Sequence, residues 1–179
     1  MRELTDDPIY RILDEQYPKM LLDYVLLSDE GAPAGKEGHK AAVLAALRVL
    51  DARERVGNSL RHPPMTVEPE KMHGAAESSE TLFAVADHGR TGGNLPLEKT
   101  YWEAYMYQPY PHPYGIAGFE KINAVLFPVQ SRKQLTVRRW SGDFTNYFDQ
   151  GNEWWGTMLL SVHDPKLCRF VIIGASMTD

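Results

Sequence analysis

The C-terminal stretch from Leu135 to Asp179 constrains the fold most, because it has the highest density of strand signals in the chain. Three runs in it, Leu135–Trp140, Trp154–Val162 and Phe170–Ile173, are rich in β-branched, aromatic or other apolar residues. Such residues favour β-strands. Turn residues such as Asp, Gly and Pro separate the runs. The stretch therefore predicts three antiparallel strands joined as a meander.

The faces of these strands indicate how the sheet is covered. In the second run, the face that begins at Trp154 is mostly apolar, whereas the face that begins at Trp155 is mixed. This contrast is typical of a sheet that is covered on one side. The run Phe170–Ile173 is apolar on both faces, so it predicts a strand that is central or covered on both sides.

Helical signals dominate the residues before this stretch. Asp7 and Pro8 suit the cap and the first position of a helix. Apolar spacing resumes over Lys19–Leu27 after an interruption at Pro18, which predicts two short helices or one kinked helix. Further helices are predicted at Lys40–Val56, Leu97–Tyr107 and Phe119–Phe127.

The length of 179 residues predicts one domain. Within it we distinguish an N-terminal helical part over residues 6–57, a loop-rich connection over 58–79 and an α+β part over 80–179. Residues 58–79 contain Pro, Gly and Ser breaks without a clear period. The predicted fold class is α+β, with an antiparallel C-terminal sheet covered by the N-terminal and central helices.

Composition restricts the function and the compartment. The net charge of -5 argues against a general nucleic-acid binder, which would show a basic excess. The chain lacks an apolar run of the roughly 18 residues that would span a bilayer, so no membrane association is predicted. The one cysteine, Cys168, excludes an intrachain disulfide and is expected to be a buried strand residue. The acidic N-terminus lacks a secretory pattern, so a cytoplasmic location is expected.

Metal and cofactor motifs are not evident in the sequence. The histidines are scattered, and no pair has the spacing of a zinc motif. The glycine-rich loop over residues 88–94 precedes a predicted helix, yet it matches neither common phosphate-binding pattern. A connecting loop is therefore the better interpretation, and we predict neither a metal nor a cofactor.

Acidic and aromatic residues are concentrated between residues 143 and 155. Paired carboxylates beside aromatic walls are typical of glycoside cleavage. Asp149 and Glu153 would be the catalytic pair of a small hydrolase acting on a glycan or a similar polar substrate. Asp, Asn and Gly are also ordinary turn residues, however, and no third group defines a catalytic geometry. A binding surface is therefore favoured over catalysis.

A second aromatic segment follows the predicted helix Leu97–Tyr107. The alternating prolines of residues 108–115 favour an extended, polyproline-like path. Tyrosine and tryptophan dominate binding hot spots because they combine a large apolar area with a polar tip. The predicted ligand- or partner-binding residues are Tyr110, Tyr114, Trp140, Asp143, Tyr147, Asp149, Glu153, Trp154 and Trp155.

Several segments resemble small uncharacterised bacterial proteins. They are residues 147–157, the turn His163–Lys166, the ending Gly174–Asp179 and the run from Tyr107 to Pro128. The resemblance covers roughly the last 75 residues and brings no catalytic motif with it. It implies a toxin-neutralising, immunity-type role.

The leading prediction is a non-enzymatic protein that binds another protein through an acidic and aromatic surface. Two alternatives remain open. One is the small hydrolase described above. The other is a small-molecule sensor with a pocket between the Pro-Tyr run and the sheet, which would be detected by thermal shift on ligand addition.

Overall fold

The computed structural model describes residues 1–32, 35–57, 64–86, 99–110, 112–149 and 156–176. The described residues form four α-helices, five strands and four short 3-10 turns. The helices are α1 (Pro8–Gln16), α2 (Lys36–Gly57), α3 (Tyr101–Met106) and α4 (Gly115–Leu126). The strands are β1 (Asp23–Ser28), β2 (Gly74–Glu77), β3 (Thr136–Trp140), β4 (Met158–Asp164) and β5 (Arg169–Ala175).

The five strands form one sheet in the order β1-β5-β4-β3-β2, and every neighbouring pair is antiparallel. The meander of β3, β4 and β5 is therefore confirmed, and so is the α+β class. All residues of β5 are buried, as expected of a strand with neighbours on both sides. Among the described helices, none is long and apolar enough to cross a membrane.

Two strands lie where the sequence predicted other structure. The helix predicted over Lys19–Leu27 is wrong, because Asp23–Ser28 pairs with β5 from Asp23 opposite Gly174 to Ser28 opposite Arg169. A short apolar run fits a helix or a strand equally well until a partner strand is known. The connection predicted over 58–79 contains β2, whose Gly and Ala residues carry weak strand signals.

The prediction that only one face of the sheet is covered is also wrong. Leu160 and Val162 belong to one buried apolar cluster, whereas Leu159 belongs to a second cluster. Because successive side chains of a strand point to opposite faces, the two clusters lie on opposite sides of the sheet. Residues of α1, α3 and α4 complete the first cluster, and residues of α2 complete the second.

The helix ends follow local sequence signals. The Asp7 carboxylate accepts a hydrogen bond of 3.0 Å from the backbone N–H of Ile9, so the predicted cap of α1 is confirmed. Thr100 and Glu103 form a capping box at the start of α3. The α2 and α4 helices begin earlier than predicted, at Lys36 and Gly115. The predicted start of α3 at Leu97 lies outside the described residues.

Cys168 differs from its sequence prediction. It is exposed and lies in the turn between β4 and β5, whereas the strand begins at Arg169. Its φ of 48° is in the left-handed region, which a turn uses and a strand does not. The prediction of a buried strand cysteine is therefore wrong.

Candidate functional site

The predicted binding residues do not form one surface. Tyr114 packs against the cluster on the α1, α3 and α4 side of the sheet, whereas Trp140 and Tyr147 belong to the cluster beneath α2. Residues 150–155 lie outside the described part of the chain, so the predictions for Glu153, Trp154 and Trp155 stay predictions. The separation of the Asp149 and Glu153 carboxylates is likewise not defined.

Trp140 is a core residue rather than a surface residue. Only 3% of it is exposed. Its indole N–H donates a 2.8 Å hydrogen bond to Ser161 Oγ, which satisfies the one polar group of the side chain. A partner protein could not reach it without opening the sheet layer, so its predicted place on a binding surface is wrong.

Asp143 and Asp149 are exposed, whereas Tyr147 is partly buried. The Tyr147 hydroxyl donates a hydrogen bond to the Asp23 carboxylate. Burial raises the pKa of the Tyr147 hydroxyl well above its usual value, and burial also raises the pKa of Asp23. Tyr147 therefore anchors the 3-10 turn Asn146–Phe148 to the first residue of β1. This role is structural.

The described residues of the Pro-Tyr run, 107–110 and 112–114, form a loop, which we call the Tyr110 loop. The Nε2 atoms of Gln108 and His112 lie 3.2 and 2.7 Å from the same carbonyl oxygen, that of Tyr105. The backbone bends at Pro109, Tyr110 and Pro113, so these described residues do not follow the predicted polyproline-like course. The side-chain amide of Gln108 also accepts a 3.0 Å hydrogen bond from the Leu21 N–H.

Tyr114 holds the second end of the Tyr110 loop. Its hydroxyl accepts a 3.0 Å hydrogen bond from the backbone N–H of Lys19. Its ring meets Tyr17 edge-on at 4.8 Å between centroids and stacks on His112 at 5.0 Å. These contacts bind the loop to the segment that follows α1. Tyr114 is therefore half-buried and acts mainly as a support.

Tyr110 lies between these two anchors and is 56% exposed. Ile116, in the first turn of α4, is 51% exposed. Both are large apolar side chains of the kind that bury surface when a partner binds. The loop thus presents an exposed aromatic ring on a backbone that is fastened on both sides. Among the described residues that were predicted from sequence to bind a partner, Tyr110 is the large aromatic side chain with the most exposed surface.

A buried polar network was missed by the sequence interpretation. His39 of α2 is fully buried, and its Nδ1 and Nε2 atoms lie 2.8 Å from Ser161 Oγ and 2.9 Å from Thr136 Oγ1. Burial lowers the pKa of His39 to about 4, and the Coulombic interactions with Arg138 and His163 act in the same direction. The one available signal was its spacing, four residues before the buried Val43 on the same helix face.

This network does not form a catalytic dyad that a substrate could reach. Ser161 is fully buried, and its oxygen already accepts the Trp140 N–H. A nucleophilic serine must contact the substrate. His39 and Ser161 therefore join α2 to the sheet, and the Tyr110 loop remains the candidate site.

A cavity of about 260 Å³ lies on the other side of the sheet, between the ion pair of Glu77 with Arg139 and the side chains of Tyr101 and Leu160. The Arg139 guanidinium binds the Glu77 carboxylate and donates a 2.7 Å hydrogen bond to the Lys99 carbonyl. The walls of this cavity include residues of β2 and β3, so it is not the pocket predicted between the Pro-Tyr run and the sheet.

Within the described ranges, no group of three or more His, Cys, Asp or Glu side chains is arranged to hold a metal ion. Comparisons with protein-family models, with curated proteins and with solved structures find no match for this chain. The geometry of the Tyr110 loop, together with the charge of the chain, therefore carries the functional argument.

Proposed function

We propose that this protein is a non-enzymatic binding protein that contacts another protein through the Tyr110 loop. The observation that carries the proposal is the exposure of Tyr110, at 56%, on a loop whose flanking residues Gln108, His112 and Tyr114 are hydrogen-bonded to the rest of the fold. An ordered loop loses less conformational entropy on binding than a free one. An exposed tyrosine on such a loop therefore favours binding of another protein.

The neighbouring apolar residue extends the same surface. Ile116 begins α4 directly after the loop and is 51% exposed. Interface energy is commonly concentrated in a few large side chains. The proposed contact therefore includes the Tyr110 ring and Ile116.

The charge of the chain favours a cationic partner. A net charge of -5 attracts a basic protein over distances up to about 10 Å at moderate salt and increases its association rate. The proposal extends to an immunity-type role in the cytoplasm, in which binding masks the working surface of a toxic partner. The sequence resemblance and the acidic charge support that extension.

The test compares binding by the unchanged protein with binding by Tyr110→Ala and Ile116→Ala. A partner captured from the native host is purified, and its affinity for each variant is measured by titration calorimetry. Removing a central aromatic contact typically costs about 2 kcal/mol, which is roughly a 30-fold weaker affinity. We expect that loss for Tyr110→Ala and a smaller one for Ile116→Ala.

Val129→Ala is the matched control, because Val129 is 75% exposed but lies beyond the opposite end of α4. The affinity of the Val129→Ala variant for the partner should equal that of the unchanged protein. Failure to capture any stoichiometric partner, or equal affinity for Tyr110→Ala and Val129→Ala, would overturn the proposal. Co-expression then tests the immunity-type role: the partner alone should arrest growth, and the unchanged protein should restore it.

A further inference from the structure

The hydrogen bonds of His39 depend on its being neutral. The Trp140 indole N–H can only donate, so Ser161 Oγ accepts from it. The Ser161 O–H is then free to donate to His39 Nδ1, at 2.8 Å. The remaining His39 N–H, on Nε2, donates to Thr136 Oγ1, at 2.9 Å. The Trp140 N–H, the Ser161 hydroxyl and both His39 nitrogens then each have a partner.

A second proton on His39 would break this arrangement. Both ring nitrogens of an imidazolium are donors. Ser161 Oγ would then accept from His39 as well as from Trp140, its two side-chain partners among the described residues. The Ser161 hydroxyl proton would lose its acceptor while remaining fully buried. A buried donor without a partner is costly, so protonation is opposed at Ser161 Oγ. A hydrogen bond between the His39 ring and the Ser161 backbone acts in the opposite direction, but burial and the neighbouring charges outweigh it, and the pKa of His39 is lowered overall.

The surrounding charges oppose protonation as well. Arg138 of β3 and His163 of β4 both face the His39 ring, and the two imidazole centroids are 6.4 Å apart. The Asp29 carboxylate lies 3.1 Å from His163 Nε2, so it is paired with His163. His39 is also in the first turns of α2, where the positive end of the helix dipole disfavours a cation.

The groups that face His39 come from each packed element. They are Thr136 and Arg138 of β3, Ser161 and His163 of β4, and Phe170 of β5, while Lys36, Glu37 and Lys40 lie on its own helix. The contacts of His39 are also contacts between α2 and the sheet.

We infer that His39 makes the docking of α2 on the sheet sensitive to acid, so that protonation of its imidazole releases the first turns of the helix. The release is local, because α1, α3 and α4 pack on the opposite face. This device is independent of the Tyr110 loop, which lies on that opposite face. It makes the α2 layer the acid-sensitive layer of the fold.

The direction of the pH effect follows from linkage. His39 has a pKa of about 4 when docked and near 6.5 when released, so the released form binds the proton more readily. Docking is therefore unaffected above pH 6.5, weakens as the pH falls below that value, and levels off near pH 4. Between pH 7 and pH 5 the docking equilibrium should change about twentyfold.

Hydrogen exchange of the full chain at pH 7 and pH 5, corrected for intrinsic exchange rates, tests the inference. Protection of α2 amides should fall about twentyfold relative to that of α4 amides. His39→Gln, which cannot gain the proton, should show no such difference. His73→Gln replaces an exposed histidine and should behave as the unchanged protein does.

Equal loss of protection in α2 and α4, or the same α2 loss in His39→Gln, would overturn the inference. An NMR titration of the unchanged protein gives a second test that does not require the variant to fold. The His39 ring signal should remain that of a neutral imidazole at pH 5.5 in the docked state. If the His39 ring titrated with a midpoint near pH 6.5 while the α2 amides remained protected from exchange, the inference would also be overturned.

Discussion

At the scale of single residues, close approaches between backbone and side chain determine what each position tolerates. Gly174 of β5 lies opposite Asp23, and a Cβ built at Gly174 would be 2.8 Å from the Tyr147 hydroxyl. That hydroxyl is held in place by its hydrogen bond to Asp23. The tyrosine cannot retreat without losing this bond, so the glycine is required by the space available.

We predict that Gly174→Ala lowers the free energy of unfolding by about 1–3 kcal/mol, the usual cost of overpacking. Chemical denaturation measures this. Gly35→Ala is the control, since a Cβ at Gly35 meets no atom within 4 Å. Adding Tyr147→Phe to Gly174→Ala should recover part of the loss, because it removes the atom that clashes. Strictly additive losses in the double variant would contradict the steric explanation.

At the scale of elements, one buried arginine connects a strand to two helix ends. Arg169 at the start of β5 donates a 2.6 Å hydrogen bond to the Asp7 carboxylate, which caps α1. It also donates a 2.7 Å hydrogen bond to the carbonyl of Leu126, in the last turn of α4. The free carbonyls at a helix end need such donors. Arg169 therefore positions α1 against α4.

Arg169→Met should lower the free energy of unfolding by about 3–5 kcal/mol, because it leaves a partly buried carboxylate and a buried carbonyl without their donor. Thermal and urea unfolding measure the loss. The control is Lys166→Met, since Lys166 is exposed and donates to the Gln130 carbonyl at the surface. That variant should change stability by less than about 0.5 kcal/mol. Similar losses in both variants would rule out the special role of Arg169.

At the scale of the whole molecule, the sheet separates two apolar cores. The α1, α3 and α4 layer carries the Tyr110 loop, and the α2 layer carries the buried histidine network. Neighbouring residues of one strand therefore serve different cores. Leu160 is 1% exposed on the first side, and Leu159 is 2% exposed on the second.

We predict that Leu160→Ala and Leu159→Ala each destabilise the fold by about 2–5 kcal/mol, the usual cost of truncating a buried leucine. Urea denaturation of both variants measures this. Leu167→Ala is the control, because Leu167 is 42% exposed, and it should lower the free energy of unfolding far less. A near-neutral Leu159→Ala would mean that α2 does not cover its face of the sheet.

The sequence alone determined those features whose signals are local. Asp7 and Pro8 define the start of α1, the apolar spacing after Lys40 defines α2, and the apolar runs of β4 and β5, separated by turn residues, define the meander. Each depends on residues within a few positions of one another, which act through caps, turns and periodicity. The exposure of Tyr110 was also expected from its proline neighbours.

Only the tertiary structure decided the remaining features, because their partners are distant in the chain. Tyr24–Leu27 becomes strand since β5, well over a hundred residues later, supplies its hydrogen bonds. The Tyr110 loop folds back because Leu21 and Lys19 bind its two sides. His39 contacts Ser161 only because α2 packs against β4, which is distant in sequence. A local sequence pattern indicates the secondary structure that a residue prefers, whereas burial and strand pairing depend on which distant segment packs against it.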